Sequence, residues 1–352
     1  MTAQSVNVAN DVSTAADLHS FLQQQRRIIS RKDLKPFTKR TDSHGLIHLG
    51  IHLSMLGATG WLVYLSIGNW WYLVPAMFVH GIVLNQLFAP LHECIHGTPF
   101  RTRWLNETVM CVLGFMIVWM PIYFRYEHTA HHSNAQIKGK DAEFICPSPA
   151  TWRNHFLWVC GHTRWVVNLG WLFLHSMGRM RPHERKNVPD NELPRIYMEA
   201  RIMLALYVIL IGGAIYLQSW ALFFYWIIPL TLGRPVQHAF RMSDHVGCLE
   251  GPDITHHVRT TITHPLLQFL EWNMNFHAMH HLSPAVPFHA LPALHNKVGH
   301  KMYNSNKGYI AAQFDIWRNH LTGMVQDPSK LPDDGRRPSP DELAEMLPVA
   351  AE

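Results

Sequence analysis

The stretch WWYLVPAMFVHGIVLNQLFAPLHECIH, residues 70–96, joins a long apolar segment directly to two closely spaced histidines. Its first part, residues 70–90, has no charged side chain and approaches the length that a helix needs to cross a bilayer. His92 and His96 follow four positions apart, so both side chains lie on one face of a helix. This combination predicts a membrane-spanning helix that ends in part of a metal site.

Further apolar segments predict an integral membrane protein. Residues 46–67 and 70–90 are separated by only two residues, and so are the later segments 201–217 and 220–232, the last of which is short. Such segments could be the buried helices of a soluble all-α protein, but two tight pairs of this length favour membrane crossings. We predict an all-α integral membrane protein with two transmembrane helical hairpins, about four spans, and a cytoplasmic helical cap that holds the histidines.

The composition excludes several other classes of protein. Charged residues make up 16% of the 352 residues, well below the roughly 25% of soluble domains. The formal net charge of +5 is modest and no basic run is interleaved with aromatic residues, so no nucleic-acid partner is expected. The five cysteines form no C-x-x-C pair, which argues against a disulfide framework or a thiolate zinc site. The unusual count is 26 histidines.

Basic residues predict the orientation in the membrane. The segment before residue 46 is rich in Arg and Lys, as are residues 179–186, whereas the short joins within the hairpins have neither. By the positive-inside rule the N-terminus, the long middle segment and the C-terminus are cytoplasmic. The first 40 residues contain no apolar h-region, so no cleavable signal peptide is expected.

Two more apolar segments do not fit the pattern of simple spans. Residues 152–174 are interrupted by charged and polar side chains, which predicts a helix lying at the membrane interface. Residues 105–124 are long enough to cross once, but Gly114 and Pro121 allow a break. The tail beyond about residue 326 is polar and proline-rich, as in a loose extension.

The histidines form three clusters with helical spacing. Side chains at i, i+3 and i+4 lie on one helical face, so each cluster can direct two or three imidazoles at one point. Eight histidines exceed the three or four ligands of one zinc ion and fit two metal ions. The clusters are His92 and His96, then His128, His131 and His132, then His277, His280 and His281.

Other readings of these clusters are possible. Residues 92–96 also match H-E-x-x-H, the zinc-peptidase signature in which Glu93 would be the general base. An intramembrane peptidase needs another ligand, typically an Asp in a later span, and residues 201–217 and 220–232 contain none. A metal-binding or transport protein without catalysis would have polar residues within its spans, whereas these clusters lie outside them.

The three clusters in this order resemble the histidine boxes of the membrane fatty acid desaturase superfamily. HEC (92–94) resembles the first box of acyl-lipid members, and residues 272–295 resemble the C-terminal motif of bacterial members. SDHVG (243–247) is similar to the segment that supplies a further ligand, so the resemblance adds His245 to the set. One departure is Met279, where many relatives carry Glu. The resemblance covers about residues 45–300.

The resemblance implies a domain organisation and a location. It predicts a cytoplasmic segment at residues 1–44, a desaturase domain at 45–300 and a cytoplasmic tail at 301–352, in a bacterial inner membrane. The first two boxes must reach one centre from the same side of the membrane. Residues 105–124 are therefore expected to dip in and return, or to lie along the cap.

The resemblance also implies the chemistry. Removing hydrogen from an alkyl chain needs activated oxygen on a redox-active metal, and imidazoles suit iron whereas zinc has no redox chemistry. The predicted cofactors are two Fe²⁺ ions, with O₂ as co-substrate and a separate electron donor (ferredoxin, rubredoxin or cytochrome, with an NAD(P)H reductase). The predicted function is fatty acid desaturation. The alternative is a hydroxylase or ketolase acting on an acyl chain, carotenoid or other lipid-like substrate.

Nine histidines are predicted to be catalytic metal ligands, namely His92, His96, His128, His131, His132, His245, His277, His280 and His281. Groups that accept the other imidazole N–H hold such ligands in place. The candidates for that role are Glu93, Glu127, Asp141, Glu143, Asp244 and Asn273. Among the histidines outside the set, His256 and His257 are the first that could belong to it.

Overall fold

The computed structural model describes residues 23, 25–137, 139–143 and 151–322. The predicted tail beyond residue 326 lies outside the described residues. The described chain is mainly α-helical. Its helices are α1 (Arg31–Leu34), α2 (Asp42–Ser66), α3 (Trp70–Asn85), α4 (Phe88–Ile95), α5 (Arg103–Ile117), α6 (Pro121–Asn134), α7 (Trp152–Cys160), α8 (His162–Ser176), α9 (Pro182–Arg185), α10 (Leu193–Tyr216), α11 (Ile228–His245), α12 (Pro265–Leu270), α13 (His277–Leu282), α14 (Leu291–Val298) and α15 (Tyr309–Thr322).

Short turns and one strand pair complete the described fold. The 3₁₀ turns are Lys35–Thr38, Asp190–Glu192, Met274–Phe276, Phe288–Ala290 and Gly299–Lys301, and a π-helical turn covers Phe223–Ile227. Strands β1 (Arg259–Ile262) and β2 (Asn304–Lys307) pair in parallel, with Arg259 opposite Asn304. The sequence did not predict these strands, which join the chain on either side of the third histidine cluster.

The first predicted hairpin is present as α2 and α3. The side chain of Asn69, between the two helices, accepts a hydrogen bond from the backbone N–H of Trp71 at 3.1 Å and so begins α3. Large apolar side chains of α2 point outward, among them Ile47 and Trp61, as expected for a helix surrounded by lipid. The apolar helical segment continues past residue 90, since residues Trp70–Ile95 form one candidate span that carries His92 in its last turn.

Three helices of the described chain are long and apolar enough to cross a membrane: Asp42–Ser66, Trp70–Ile95 and Asp190–Tyr216. The predicted fourth span, residues 220–232, is not among them. The chain there forms the π-helical turn and continues without interruption into α11, whose second half carries charged side chains. A bent pair, α5 with α6, brings the possible total to four.

α11 packs closely along α3. A Cβ atom on Gly81 would lie 1.9 Å from the carbonyl oxygen of Pro229, and one on Gly233 would lie 2.1 Å from the carbonyl carbon of Gly81. The two backbones therefore touch, in the way that small residues allow between membrane helices. This contact aligns α4, which continues α3, with the C-terminal half of α11.

The chain bends sharply within residues 105–124. α5 and α6 meet at an angle of 99°, with Val118 in the left-handed region at φ 57° and Pro121 in the first turn of α6. A Cβ atom on Gly114 would lie 2.6 Å from the carbonyl oxygen of Trp119, so a larger residue would block this turn. The bend directs α6, with the second histidine cluster, back toward α4.

The predicted interfacial helix at residues 152–174 is two helices. Gly161, at φ 68°, separates α7 from α8, and a Cβ atom there would lie 2.7 Å from the Cβ of His238 on α11. The break arises because the chain needs a left-handed residue at this close approach, which favours glycine. The resulting turn brings Arg164 into the interior, where it binds Glu127.

The segment before α2 packs against the C-terminal part of the described chain. Its apolar residues Ile28 and Ile29 are buried. The side chain of Gln25 donates to the carbonyl oxygen of Leu282 at 2.6 Å, and Lys301 donates to the carbonyl oxygen of Ile28 at 2.7 Å. These contacts tie the beginning of the described chain to the end of the helix that carries the third cluster.

Candidate metal centre

Three short helices and one helix end bring the nine predicted histidines together. α4 carries the first pair, with His96 as its C-cap, α6 carries the second cluster and α13 the third, while His245 is the last residue of α11. His96 and His132 are partly buried. The other seven are buried, namely His92, His128, His131, His245, His277, His280 and His281.

Five of these imidazoles surround one point. This five-histidine group consists of His92, His96, His128, His132 and His280, and one ring nitrogen of each lies within 4.8 Å of all the others. The Nε2 atoms of His92 and His128 are 2.7 Å apart, and those of His132 and His128 are 2.9 Å apart. The Nε2 of His280 lies 3.0 Å from that of His132. All three histidine clusters contribute to the group.

A second group consists of His131, His245 and His281, one ring nitrogen of each lying within 4.8 Å of the others, and His277 adjoins it through His245; these four are called the four-histidine group. In this four-histidine group the Nε2 of His245 lies 3.2 Å from that of His131, 3.1 Å from that of His277 and 3.0 Å from that of His281. A single N–H on His245 could donate to only one of these three nitrogens, so hydrogen bonding does not account for all three contacts. An arrangement of bare ring nitrogens around one point is the donor set of a cation.

The nitrogen separations suit such an ion. Two nitrogens that are each about 2.1 Å from one ion, at right angles to each other, are about 3.0 Å apart. The Nε2–Nε2 separations in the two groups run from 2.7 Å to 3.2 Å. Both groups therefore fit an imidazole-bound metal ion.

Two carboxylates bind imidazoles on the ring nitrogen that faces away from the centre. The Nδ1 of His128 donates to Glu143 at 2.5 Å, and the Nδ1 of His131 donates to Asp141 at 2.8 Å. With the proton held on Nδ1, the lone pair of Nε2 faces the centre. In each group, a buried carboxylate thus fixes the tautomer of one imidazole. Glu143 also accepts a hydrogen bond from Arg241 at 2.9 Å.

His245 is oriented by a backbone group. Its Nδ1 donates to the carbonyl oxygen of His257 at 2.9 Å. The ring of His257 itself donates to the carbonyl oxygen of Gly251, and the ring of His256 stacks on Tyr303. Neither ring joins one of the two groups, so His257 acts through its backbone.

Glu93 connects two segments of the chain through hydrogen bonds. Its Oε2 accepts hydrogen bonds from the hydroxyl of Thr98 at 2.7 Å and from the backbone N–H of Phe288 at 3.0 Å. Its Oε1 is 4.0 Å from the Nδ1 of His280, too far for a hydrogen bond. It connects the first histidine pair to the segment that follows the third cluster.

The other three candidates for support of the imidazoles do not bind them. Asp244 lies 3.9 Å from the Nδ1 of His277, beyond hydrogen-bonding distance. Glu127 accepts from Arg164 at 2.8 Å. Asn273 donates to the carbonyl oxygen of Phe288 and accepts from Gln268. Polar residue type near a cluster did not distinguish these from Glu143 and Asp141.

Sequence reasoning missed a buried pair next to the centre. The hydroxyl of Tyr309 donates to Glu271, and Glu271 lines the same cavity as the histidines. The ring of Tyr309 stacks on Phe240 of α11 at a centroid distance of 3.9 Å. Because Tyr309 lies far along the chain from every cluster, no local pattern indicates this contact.

The electrostatics of the third cluster favour neutral rings. Burial, with the neighbouring imidazoles adding to it, lowers the pKa of His277, His280 and His281 well below the usual value. The neutral imidazole is the form that binds a metal ion. These rings are therefore ready to act as ligands at neutral pH.

A cavity opens beside the two groups. The cavity is narrow, with a volume of about 50 Å³. Part of its wall is apolar, formed by Phe88, Ala89, Phe240 and Met274. The remainder is polar and includes Gln86, Gln237, Arg241, Asp244, Glu271 and several of the histidines. A substrate in this cavity would lie directly against both groups.

Several known proteins are similar to this chain in sequence. The chain is 22% identical over 256 residues to a Delta(5) fatty acid desaturase of Caenorhabditis elegans, with 62% of this chain and 56% of that protein covered. It is 23% identical over 258 residues to an sn-1 oleoyl-lipid 12-desaturase of Picosynechococcus, covering 68% and 72%. It is 23% identical over 285 residues to a fatty acid desaturase of Bacillus subtilis, covering 75% and 79%.

The family assignment covers most of the chain. Residues 68–313 match the fatty acid desaturase family, a range that contains all nine histidines and both supporting carboxylates. The chain spans little more than half the length of the nematode relative. Members of the family act on lipid or fatty acyl substrates in membranes. With its candidate membrane spans and its two histidine groups, the chain belongs to the fatty acid desaturase family.

Proposed function

We propose that this chain is an O₂-dependent di-iron oxidoreductase that introduces a double bond into a fatty acyl chain. The observation that carries the proposal is the division of nine imidazoles into a five-histidine and a four-histidine group beside one cavity. Two separate donor sets suit two ions, and an all-imidazole donor set suits iron.

The proposed reaction couples the removal of two hydrogens to the reduction of O₂. Two hydrogens leave adjacent methylene groups of the acyl chain, and with two further electrons and two protons they reduce O₂ to two molecules of water. Bound iron would supply the redox capacity that zinc lacks. The electrons come from a separate donor, a ferredoxin, rubredoxin or cytochrome with its NAD(P)H reductase.

The chain's own residues position this chemistry. Glu143 and Asp141 hold the proton of His128 and His131 on Nδ1, so that the Nε2 atoms face the centre. Phe88, Ala89 and Met274 supply apolar wall against which methylene groups pack. The narrow space between these side chains and the imidazoles holds the reacting carbons in place.

The location completes the proposal. The centre, the N-terminus and the C-terminus face the cytoplasm, and the protein resides in a bacterial inner membrane. Arg and Lys before residue 46 and at residues 179–186 support this orientation through the positive-inside rule. The desaturase domain extends over residues 45–300, between a cytoplasmic N-terminal segment and a cytoplasmic tail at residues 301–352.

Metal content and lipid products test the proposal. Purified protein is expected to hold two irons per chain, and a single zinc without iron would refute the di-iron assignment. His132→Ala, in the five-histidine group, and His281→Ala, in the four-histidine group, should each abolish turnover. His183→Ala, an exposed histidine outside both groups, is the matched control.

Lipid analysis identifies the reaction. A host that expresses the chain with a matching electron donor should accumulate a lipid lighter by two hydrogens, as measured by mass spectrometry. A product heavier by one oxygen would instead identify the hydroxylase of the same superfamily. Unchanged lipids in the presence of an iron-loaded chain and a working donor would contradict both.

A further inference from the structure

One arginine near the cavity is buried without a carboxylate partner among the described residues. Arg234 on α11 is 2% exposed, and neither its Nε nor its Nη2 has a hydrogen-bonding partner among the residues that the structure describes. Burying a guanidinium in this state costs free energy unless something else satisfies it. A ligand that binds at this position would remove that cost.

The unpaired atoms define the shape of the ligand. Nε–H and Nη2–H lie on the same edge of the planar guanidinium and point in parallel. This edge forms two parallel hydrogen bonds with the two oxygens of a carboxylate or a phosphate. The free edge of Arg234 therefore matches an oxyanion better than a single carbonyl or hydroxyl oxygen.

The surrounding charges leave this position positive. Three guanidinium groups surround the Trp119 ring, those of Arg164, Arg234 and Arg241, at 5.2, 5.5 and 5.4 Å from its centroid. Arg164 is paired with Glu127 and Arg241 with Glu143. The two carboxylates balance two of the three charges, so one positive charge is left over at Arg234.

Neighbouring amides extend the unpaired polar surface to the cavity. Gln237 lies one turn from Arg234 on the same face of α11, is 1% exposed and has no partner for either amide atom in the described chain. Gln86, at the end of α3, has an unpaired Nε2. Both amides line the cavity beside the histidines. Unpaired polar groups thus continue along α11 from Gln237, at the cavity, to Arg234 one turn away.

We propose that Arg234, with Gln237 and Gln86, binds the anionic head group of the lipid substrate. The substrate class is then an amphiphile with a carboxylate or phosphate head, and its chain lies along the cavity past the two histidine groups. The inference rests on the proposed function, because it assigns the substrate of that same site. Arg234 precedes His245 by eleven residues, so about 16 Å of helix separates their backbones.

Equilibrium binding to the purified full chain in lipid nanodiscs tests the inference without turnover. The probes are three amphiphiles with the same alkyl chain: hexadecanoate, monohexadecyl phosphate and hexadecanol. An oxyanion should bind about 10- to 100-fold more tightly than the alcohol, as expected for charge-assisted hydrogen bonds. Preference between hexadecanoate and the phosphate identifies the head group as a fatty acid or as a phosphorylated lipid.

Variants assign the preference to Arg234. Arg234→Gln should lose the preference for the oxyanion while the alcohol binds as before. Gln237→Glu places a carboxylate one turn from Arg234, which pairs the buried charge internally and should also abolish the preference with the fold retained. Arg201→Gln, whose guanidinium binds the carbonyl oxygen of Ser176 at an exposed site, is the control that should bind like the wild type.

The outcomes separate this inference from the proposed function. Equal binding of oxyanion and alcohol by an iron-loaded chain that turns over lipid would refute the head-group assignment alone. Preference that depends on Arg234 in a chain that binds no iron would refute the di-iron function alone. Binding of inorganic phosphate at Arg234 without any binding of the amphiphiles would show that the site does not serve the substrate.

Discussion

Replacement of Glu143 by Gln should weaken metal binding in the five-histidine group. Glu143 accepts the Nδ1–H of His128 at 2.5 Å, and the neutral amide of Gln cannot supply the same charge-assisted hydrogen bond. Changes of this kind at groups that hold a ligand histidine typically reduce metal affinity 10- to 100-fold. The expected loss is therefore about 1.4–2.7 kcal/mol of binding free energy.

Glu127→Gln is the matched control for this variant. Glu127 is also a buried carboxylate bound to an arginine, Arg164 at 2.8 Å, but it touches no imidazole. Both variants leave a partly buried guanidinium without its carboxylate, so their effects on stability should be similar. Only Glu143→Gln should change the affinity for metal. Asp141→Asn should act in the same way on the four-histidine group through His131.

The assay is competition with a chelator of known affinity, followed by iron analysis of the protein. Glu143→Gln is expected to release one of two irons at a chelator concentration that leaves the wild type and Glu127→Gln loaded. Asp141→Asn should release the other iron. Retention of both irons by Glu143→Gln at wild-type affinity would refute the role of the carboxylate. An equal loss from Glu127→Gln would show that stability, not the imidazole, determines retention.

Three further predictions concern other parts of the molecule. Glu93→Gln should retain iron and part of the activity, because the amide can still accept the hydrogen bond from Thr98, whereas a metallopeptidase that lost its general base would be inactive. Gly233→Ala should lower the free energy of unfolding by about 1–3 kcal/mol, because the new Cβ would meet the backbone of Gly81. Gly212→Ala, whose new Cβ would point into open space, should raise it slightly. Thermal denaturation in detergent compares the two variants. Removal of iron by dialysis against a chelator should lower the melting temperature of the wild type, and His281→Ala should respond less.

Much of the membrane part of the fold could be predicted from local chemistry. The length of the apolar segments indicated α2 and α3. Gly114 and Pro121 indicated the bend between α5 and α6. Residues 220–232 are not among the candidate spans of the described helices, because the chain there forms a π-helical turn and continues into α11, which packs on α3 at Gly233 and carries charged side chains further on. A hydropathy pattern describes what a segment contains, but it does not show which neighbour covers it.

The site was predicted less completely than the clusters that form it. Helical spacing indicated that each cluster could direct its imidazoles together. The assignment of His131 to one group and of its neighbour His132 to the other depends on how α6 is rotated against α13, which no spacing reveals. The separate roles of Glu143 and Glu127 depend in the same way on through-space distances. The ligand roles of the nine histidines stay predictions until metal is measured.

The contact between Gln25 and Leu282 bears on the order in which the molecule is made. The two residues are 257 positions apart, and the carbonyl oxygen that Gln25 binds follows directly after the third histidine cluster. During synthesis the chain emerges from its N-terminal end, so this early segment has no place to dock until nearly the whole domain has been translated. The spans can therefore insert and pair first, while the third cluster is still absent. Docking of this segment at Leu282 therefore follows translation of the third cluster.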